Sequence, residues 1–186
     1  MQTGSIDELL TTLGRKEYAQ TFTELAKQAP TQLHYKNQTY TLSNGTYTQT
    51  TTTNAPVEEW KTLLLTVQAP TKGELCIGLV LPQDTRYDNK QLAQAIGVSN
   101  KSIKKSKPLQ ELPLHQKPGS IGPWIPEEYK KIDFLLFDQA SYEHAHKKHT
   151  GWTLPGIPDA RIHVQGITPV YQTAAKSVPT HKAILQ

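Results

Sequence analysis

Two apolar runs separated by a turn dominate the hydrophobic pattern. Leu63, Leu64, Leu65 and Val67 follow Lys61, and Leu75, Ile77, Leu79, Val80 and Leu81 follow Pro70-Thr71-Lys72-Gly73. Short apolar and β-branched runs bounded by Pro, Gly and Asp predict buried strands, so residues 61–67 and 74–81 read as an antiparallel hairpin. A third run, residues 132–137, ends at Asp138, and two more strands, 151–154 and 160–165, flank the turn Pro155-Gly156-Ile157-Pro158. Lys61 opens the first strand. Either it ends that strand in water, or it is an amine mounted on a rigid element.

Helical signals lie on both sides of these strands. Ser5 and Glu8 form a capping-box pattern ahead of Leu9, Leu10 and Leu13, and Gly14 stops that helix. Residues 15–28 place Tyr18, Phe22, Leu25 and Ala26 on one face. Alternation at Leu33, Tyr35, Tyr40 and Leu42, with Asn44-Gly45 between strands, predicts short hairpins. The threonine run to Thr53 reads as an edge strand or a mobile loop, and Asn54 and Pro56 as the start of a short helix with Val57 and Trp60 inward. Asp88 caps a helix that runs to Ile96 with Gly97 as its stop, and residues 100–105 give another helical turn. Residues 107–126 hold five prolines and read as a surface loop, and residues 141–148 as a short helix. Beyond Thr168 no periodicity remains, which reads as a tail or linker. The fold class is α+β, a mixed and mostly antiparallel sheet flanked by short helices. Its expected divisions are an N-terminal helical segment (1–30), a main domain (31–167) and a tail (168–186).

Composition narrows the class. One domain suits 186 residues, and the single cysteine, Cys76, excludes an internal disulfide and a cysteine-cluster zinc site. Cys76 reads as a small core residue. No apolar run approaches a membrane span, so a cytoplasmic protein is expected, with no membrane partner. The formal net charge is +4, and Lys101, Lys104, Lys105 and Lys107 cluster within seven positions. Such a cluster either neutralises phosphates or is a solvated face.

Candidate chemistry gathers in a few places. Gly119, Ser120, Ile121, Gly122 and Pro123 form a loop whose glycines allow backbone N–H groups to approach a ligand carbonyl, or which is a plain connection. Asp138 either faces a pocket with Ser141 or caps the next helix. His144, His146 and His149 do not share a helix face, so no metal site is expected. Trp60 and Trp124 adjoin the two main motifs, either as stacking platforms for an unpaired base or as core.

The order of the pieces "KTLLL", "LVLPQDTRYDNKQLAQAIGV", the Pro118–Pro123 loop and "DFLLFDQAS" resembles the YbaK/prolyl-tRNA synthetase-associated domain family of aminoacyl-tRNA editing deacylases, over residues 60–163. The resemblance implies a partly barrel-like sheet and hydrolysis of a mischarged tRNA, with alanine on the proline tRNA favoured. It implies that Lys61 holds the phosphate region of the tRNA acceptor end and that the Gly119–Pro123 loop lines the aminoacyl pocket. The reaction is then substrate-assisted, without a protein nucleophile or cofactor. "HTGWTLPGIPDARIHV" looks like the family's later segment, which makes His149 and His163, with Trp60, Asp138 and Ser141, substrate-binding candidates. The four clustered lysines would bind tRNA, and prolyl-tRNA synthetase is a partner in cis or in trans. The competing class is a non-catalytic tRNA- or protein-binding module.

Overall fold

Val57–Ala69 (β5) organises the molecule because it joins the two halves of the sheet. Val57, Glu58 and Glu59 pair in parallel with His149–Leu154 (β9), and Trp60 onward pairs antiparallel with Gly73–Pro82 (β6). The computed structural model describes residues 2–51, 55–112, 121–129 and 131–186. On the β9 side follow Ile157–Gln165 (β10), Thr31–Tyr35 (β2), Gln38–Ser43 (β3), Thr46–Thr50 (β4) and Thr3–Ser5 (β1). On the β6 side follow Phe134–Asp138 (β8) and Thr180–Ala183 (β11), while Lys107–Pro108 (β7) pairs with β5. The pairings β5–β9, β6–β8 and β8–β11 are parallel and the others antiparallel. The α+β class with a large mixed sheet holds. The sheet is an open path from β1 to β11, so it does not close into the barrel-like form expected.

The helices are Ile6–Thr12 (α1), Ala19–Gln28 (α2), Asn89–Ile96 (α3), Asn100–Lys104 (α4), Gln139–His144 (α5) and Thr168–Ala175 (α6). Local chemistry starts two of them as expected. Ser5 and Glu8 close a reciprocal capping box, and the Asp88 carboxylate accepts from the Lys90 and Gln91 amides. Gly97 stops α3 at φ 70°, a left-handed conformation that glycine adopts without steric cost.

The pleat sorts the sheet into two faces. One carries Leu33, Trp60, Trp152, Ile162 and Val164 into the main core, where Ile6, Leu10, Phe22, Leu25, Val170 and Ala174 of α1, α2 and α6 meet them. The opposite face at the β6 end carries Leu65, Val67, Ile77, Leu79 and Leu81 into a second core under α3 and α4. At the β10 end that same face is polar.

Two expectations are corrected. Residues 57–60 are strand, not helix, because pairing with β9 recruits them, so Lys61 is the fifth residue of β5 rather than its first. Residues 168–186 are not a tail: they supply α6 and β11, and Val170, Ala174 and Leu185 are fully buried. Both elements are too short for a periodicity window to register. Asp138 locks this segment down, accepting from the Leu185 amide (3.1 Å) and the Gln186 side-chain amide (2.6 Å).

Candidate functional site

Register brings the polar positions of five strands onto one surface. On the face opposite the main core stand Val57, Glu59 and Lys61 of β5 and His149, Gly151 and Thr153 of β9. They are joined by Arg161 and His163 of β10, Gln32 and His34 of β2, and Thr39 and Thr41 of β3. Glu59 lies opposite Gly151, Gly151 opposite His163, and Thr153 opposite Arg161.

At its centre Arg161 contacts the Glu59 carboxylate through one guanidinium nitrogen and donates to Thr153 Oγ1 through the other. His163 Nε2 lies 4.0 Å from the second Glu59 oxygen, and its ring packs on that of His34 with centroids 4.1 Å apart. Glu59 reaches this position because residue 151 is glycine: a Cβ there would lie 2.5 Å from the carboxylate. Burial first, then His34, Arg161 and His149, pull the His163 imidazole down to about 4, so it is neutral at pH 7. Burial also lowers His34, whose Nδ1 meets Thr39 Oγ1 at 3.0 Å. Gln32, Thr41, Val57, His149 and His163 line a cavity of about 140 Å³.

Lys61 stands two residues beyond Glu59. Its ammonium donates to the carbonyls of Gln83 (2.8 Å) and Thr85 (2.7 Å), in the turn after β6. Two of its three donors are thereby engaged. Beside that turn, Glu58, Asp84, Ser141, His144, Lys148 and Gln186 line a cleft of about 510 Å³.

Of the expected loop, Gly119 and Ser120 lie outside the described residues. Ile121, Gly122 and Pro123 are buried, and a Cβ on Gly122 would lie 3.1 Å from the Thr153 carbonyl. Gly122 therefore packs on the strand whose threonine side chain meets Arg161. Trp60 is 1% exposed, stacks on Trp152 and donates to Glu58 Oε1 (2.9 Å), so it offers no face to a base. Trp124 is equally buried and donates to Thr173. Asp138 is fully buried as the N-cap of α5, accepting from the Ser141 amide and hydroxyl. Its pocket role is thereby replaced by a structural one, and the Ser141 hydroxyl is turned to it. Lys101, Lys104, Lys105 and Lys107 are exposed around α4, in no ion pair among the described residues.

Sequence reasoning singled out His149, His163 and Lys61 on the polar face but missed Glu59, Arg161, Thr153 and His34. The available signal was alternation: Arg161 and His163 flank Ile162, as Glu59 and Lys61 flank Trp60. Among the described residues no group of three or more His, Cys, Asp or Glu is placed to hold a metal ion, and no helix is long and apolar enough to cross a membrane.

No protein-family model matches the chain, and no curated protein matches it. Several solved structures are similar to it, among them these two. One belongs to work on epitope backbone grafting by computational design for presentation of linear epitopes on scaffold proteins. It is 13% identical, with 69% of this chain and 71% of that chain covered and a TM-score of 0.45. The other is the crystal structure of a hypothetical protein, 19% identical, with 68% of this chain and 73% of that chain covered and a TM-score of 0.45. Likenesses this distant bear on neither the family nor the activity of this chain.

Proposed function

We propose that the chain is an aminoacyl-tRNA deacylase that hydrolyses the ester of a mischarged tRNA, with alanine on the proline tRNA as first candidate. One observation carries the reading: the polar array from Lys61 to His163 and the basic helix α4 occupy the same side of the sheet. Ile103 seats α4 on the second core, and the pleat that points Leu65 and Val67 into that core points Glu59 and Lys61 the same way. A tRNA strand whose phosphates meet Lys101, Lys104, Lys105 and Lys107 then has its acceptor end on the polar array. The array supplies fixed donors and acceptors, and the ribose hydroxyl helps a water attack the ester.

A second reading, a tRNA-binding module without hydrolysis, is favoured by Lys61 itself, since two backbone carbonyls already hold its ammonium. Deacylation assays separate the two. tRNA(Pro) is charged in turn with Ala, Cys, Ser and Pro and offered to the wild type, Lys61→Ala and Lys104→Glu/Lys105→Glu, with thermal melts as a folding control. Hydrolysis of one mischarged species that spares Pro, weakened by the double reversal at low salt, is the expected result. Bound tRNA with no turnover of any species overturns the enzyme reading and leaves the binding module.

A further inference from the structure

We propose that Glu59 and Arg161 are positioning residues that keep His163 available as a hydrogen-bond acceptor on the polar face. The proposal rests on the deacylase reading for its substrate, a proton-bearing group of the bound ester or its attacking water. Its geometry stands independently of that reading.

Every group that faces His163 among the described residues has a definable effect. Arg161, two residues away on β10, is a cation at close range, and it is locked by Glu59 on one side and Thr153 on the other. His34 on β2 packs against the ring at a 42° tilt, and His149 on β9 lowers it further. Among the described residues, Glu59 on β5 is the opposite charge paired with the ring. Its contact with Arg161 is direct, whereas His163 Nε2 is 4.0 Å away, so the carboxylate is committed mainly to the guanidinium. Burial, the largest influence on the ring, is therefore left uncompensated, and the imidazole stays neutral. Its weak basicity makes it an acceptor that orients a hydroxyl or a water, not a group that removes a proton. Gly151 completes the device, because only a residue without a Cβ leaves room for the Glu59 carboxylate.

The test follows the His163 ring by NMR titration and, in parallel, the pH dependence of deacylation. Arg161→Met removes the neighbouring cation and frees Glu59 to pair with the imidazolium. The ring titration and the acid limb of kcat/KM are both expected to move upward by about one pH unit or more. Arg161→Lys retains the charge and leaves the titration within about half a unit of wild type. Titration unchanged in Arg161→Met overturns the proposal. A wild type that hydrolyses no aminoacyl-tRNA, but whose ring titration moves in Arg161→Met, sinks the deacylase reading and leaves the positioning pair standing.

Discussion

Asp138→Ala separates a tail from an integral segment. The carboxylate is fully buried and accepts from four donors: the Leu185 amide, the Ser141 amide, the Ser141 hydroxyl and the Gln186 side-chain amide. Truncation removes the cap of α5, which costs about 0.5–2 kcal/mol. It also leaves the buried Leu185 N–H without an acceptor, a further 1–3 kcal/mol or so. Ser141 and Gln186 are partly exposed and recover bonds to water, so they add little. The expected loss is about 1.5–5 kcal/mol, a large share of the roughly 5–15 kcal/mol that stabilises an ordinary domain. Urea denaturation measures the total, and amide hydrogen exchange locates it: Leu185 and the β11 amides lose protection while β5 and β6 keep theirs. Asp138→Asn divides the two contributions. Asparagine caps a helix as well as aspartate does, but its NH₂ would face the Leu185 N–H, so the stability loss shrinks while Leu185 exchange stays fast. A loss under about 1 kcal/mol in Asp138→Ala, with Leu185 still protected, would refute the view that this carboxylate fastens the C-terminal segment.

Two further outcomes are expected. The unfolded chain takes up the His163 proton near pH 6.5 and the folded chain only near 4, so within that window the unfolded state holds more protons and stability falls as pH falls. The contribution approaches about 3 kcal/mol at the acid end, with His34 adding in the same direction, and His163→Gln should flatten the slope of urea-derived stability against pH. Gly78→Ala places a Cβ 2.3 Å from Leu135 Cδ2 and 3.1 Å from Leu64 Cδ2 in the main core, which should cost about 1–3 kcal/mol. Leu135→Val in the same chain should recover part of that loss in thermal melts, and no recovery would point to a clash elsewhere.

The parts legible in the sequence are those decided by near neighbours. The hairpin of β5 and β6 follows from two apolar runs around a Pro-Thr-Lys-Gly turn, and the starts of α1 and α3 follow from Ser5 and Asp88, whose side chains bond backbone within three residues. Asn44-Gly45 turns β3 into β4 with both residues at positive φ, the arrangement that dipeptide favours. What escaped was decided at a distance. Val57-Glu58-Glu59 is polar enough to read as something other than strand, and it becomes strand because β9, some ninety residues later, offers it a ladder. β11 holds only four residues, and its place is fixed by β8 and by the buried Asp138.

The polar array shows the same division at the level of chemistry. His163 is visible in the sequence as a histidine between two apolar residues, but what makes it neutral comes from the fold: burial first, then His34 from β2, its strand neighbour Arg161 and His149 from β9. Gly151 carries the least visible information of all. It sits in "HTGWTL", where a glycine reads as a weak point in a strand, yet its missing side chain is what admits Glu59 to Arg161. A one-residue slip between β5 and β9 would turn Glu59 into the main core and Trp60 out to solvent. The buried stack of Trp60 on Trp152, on the opposite face, therefore fixes the register that builds the array. The core pairing and the candidate chemistry are two faces of the same strand alignment.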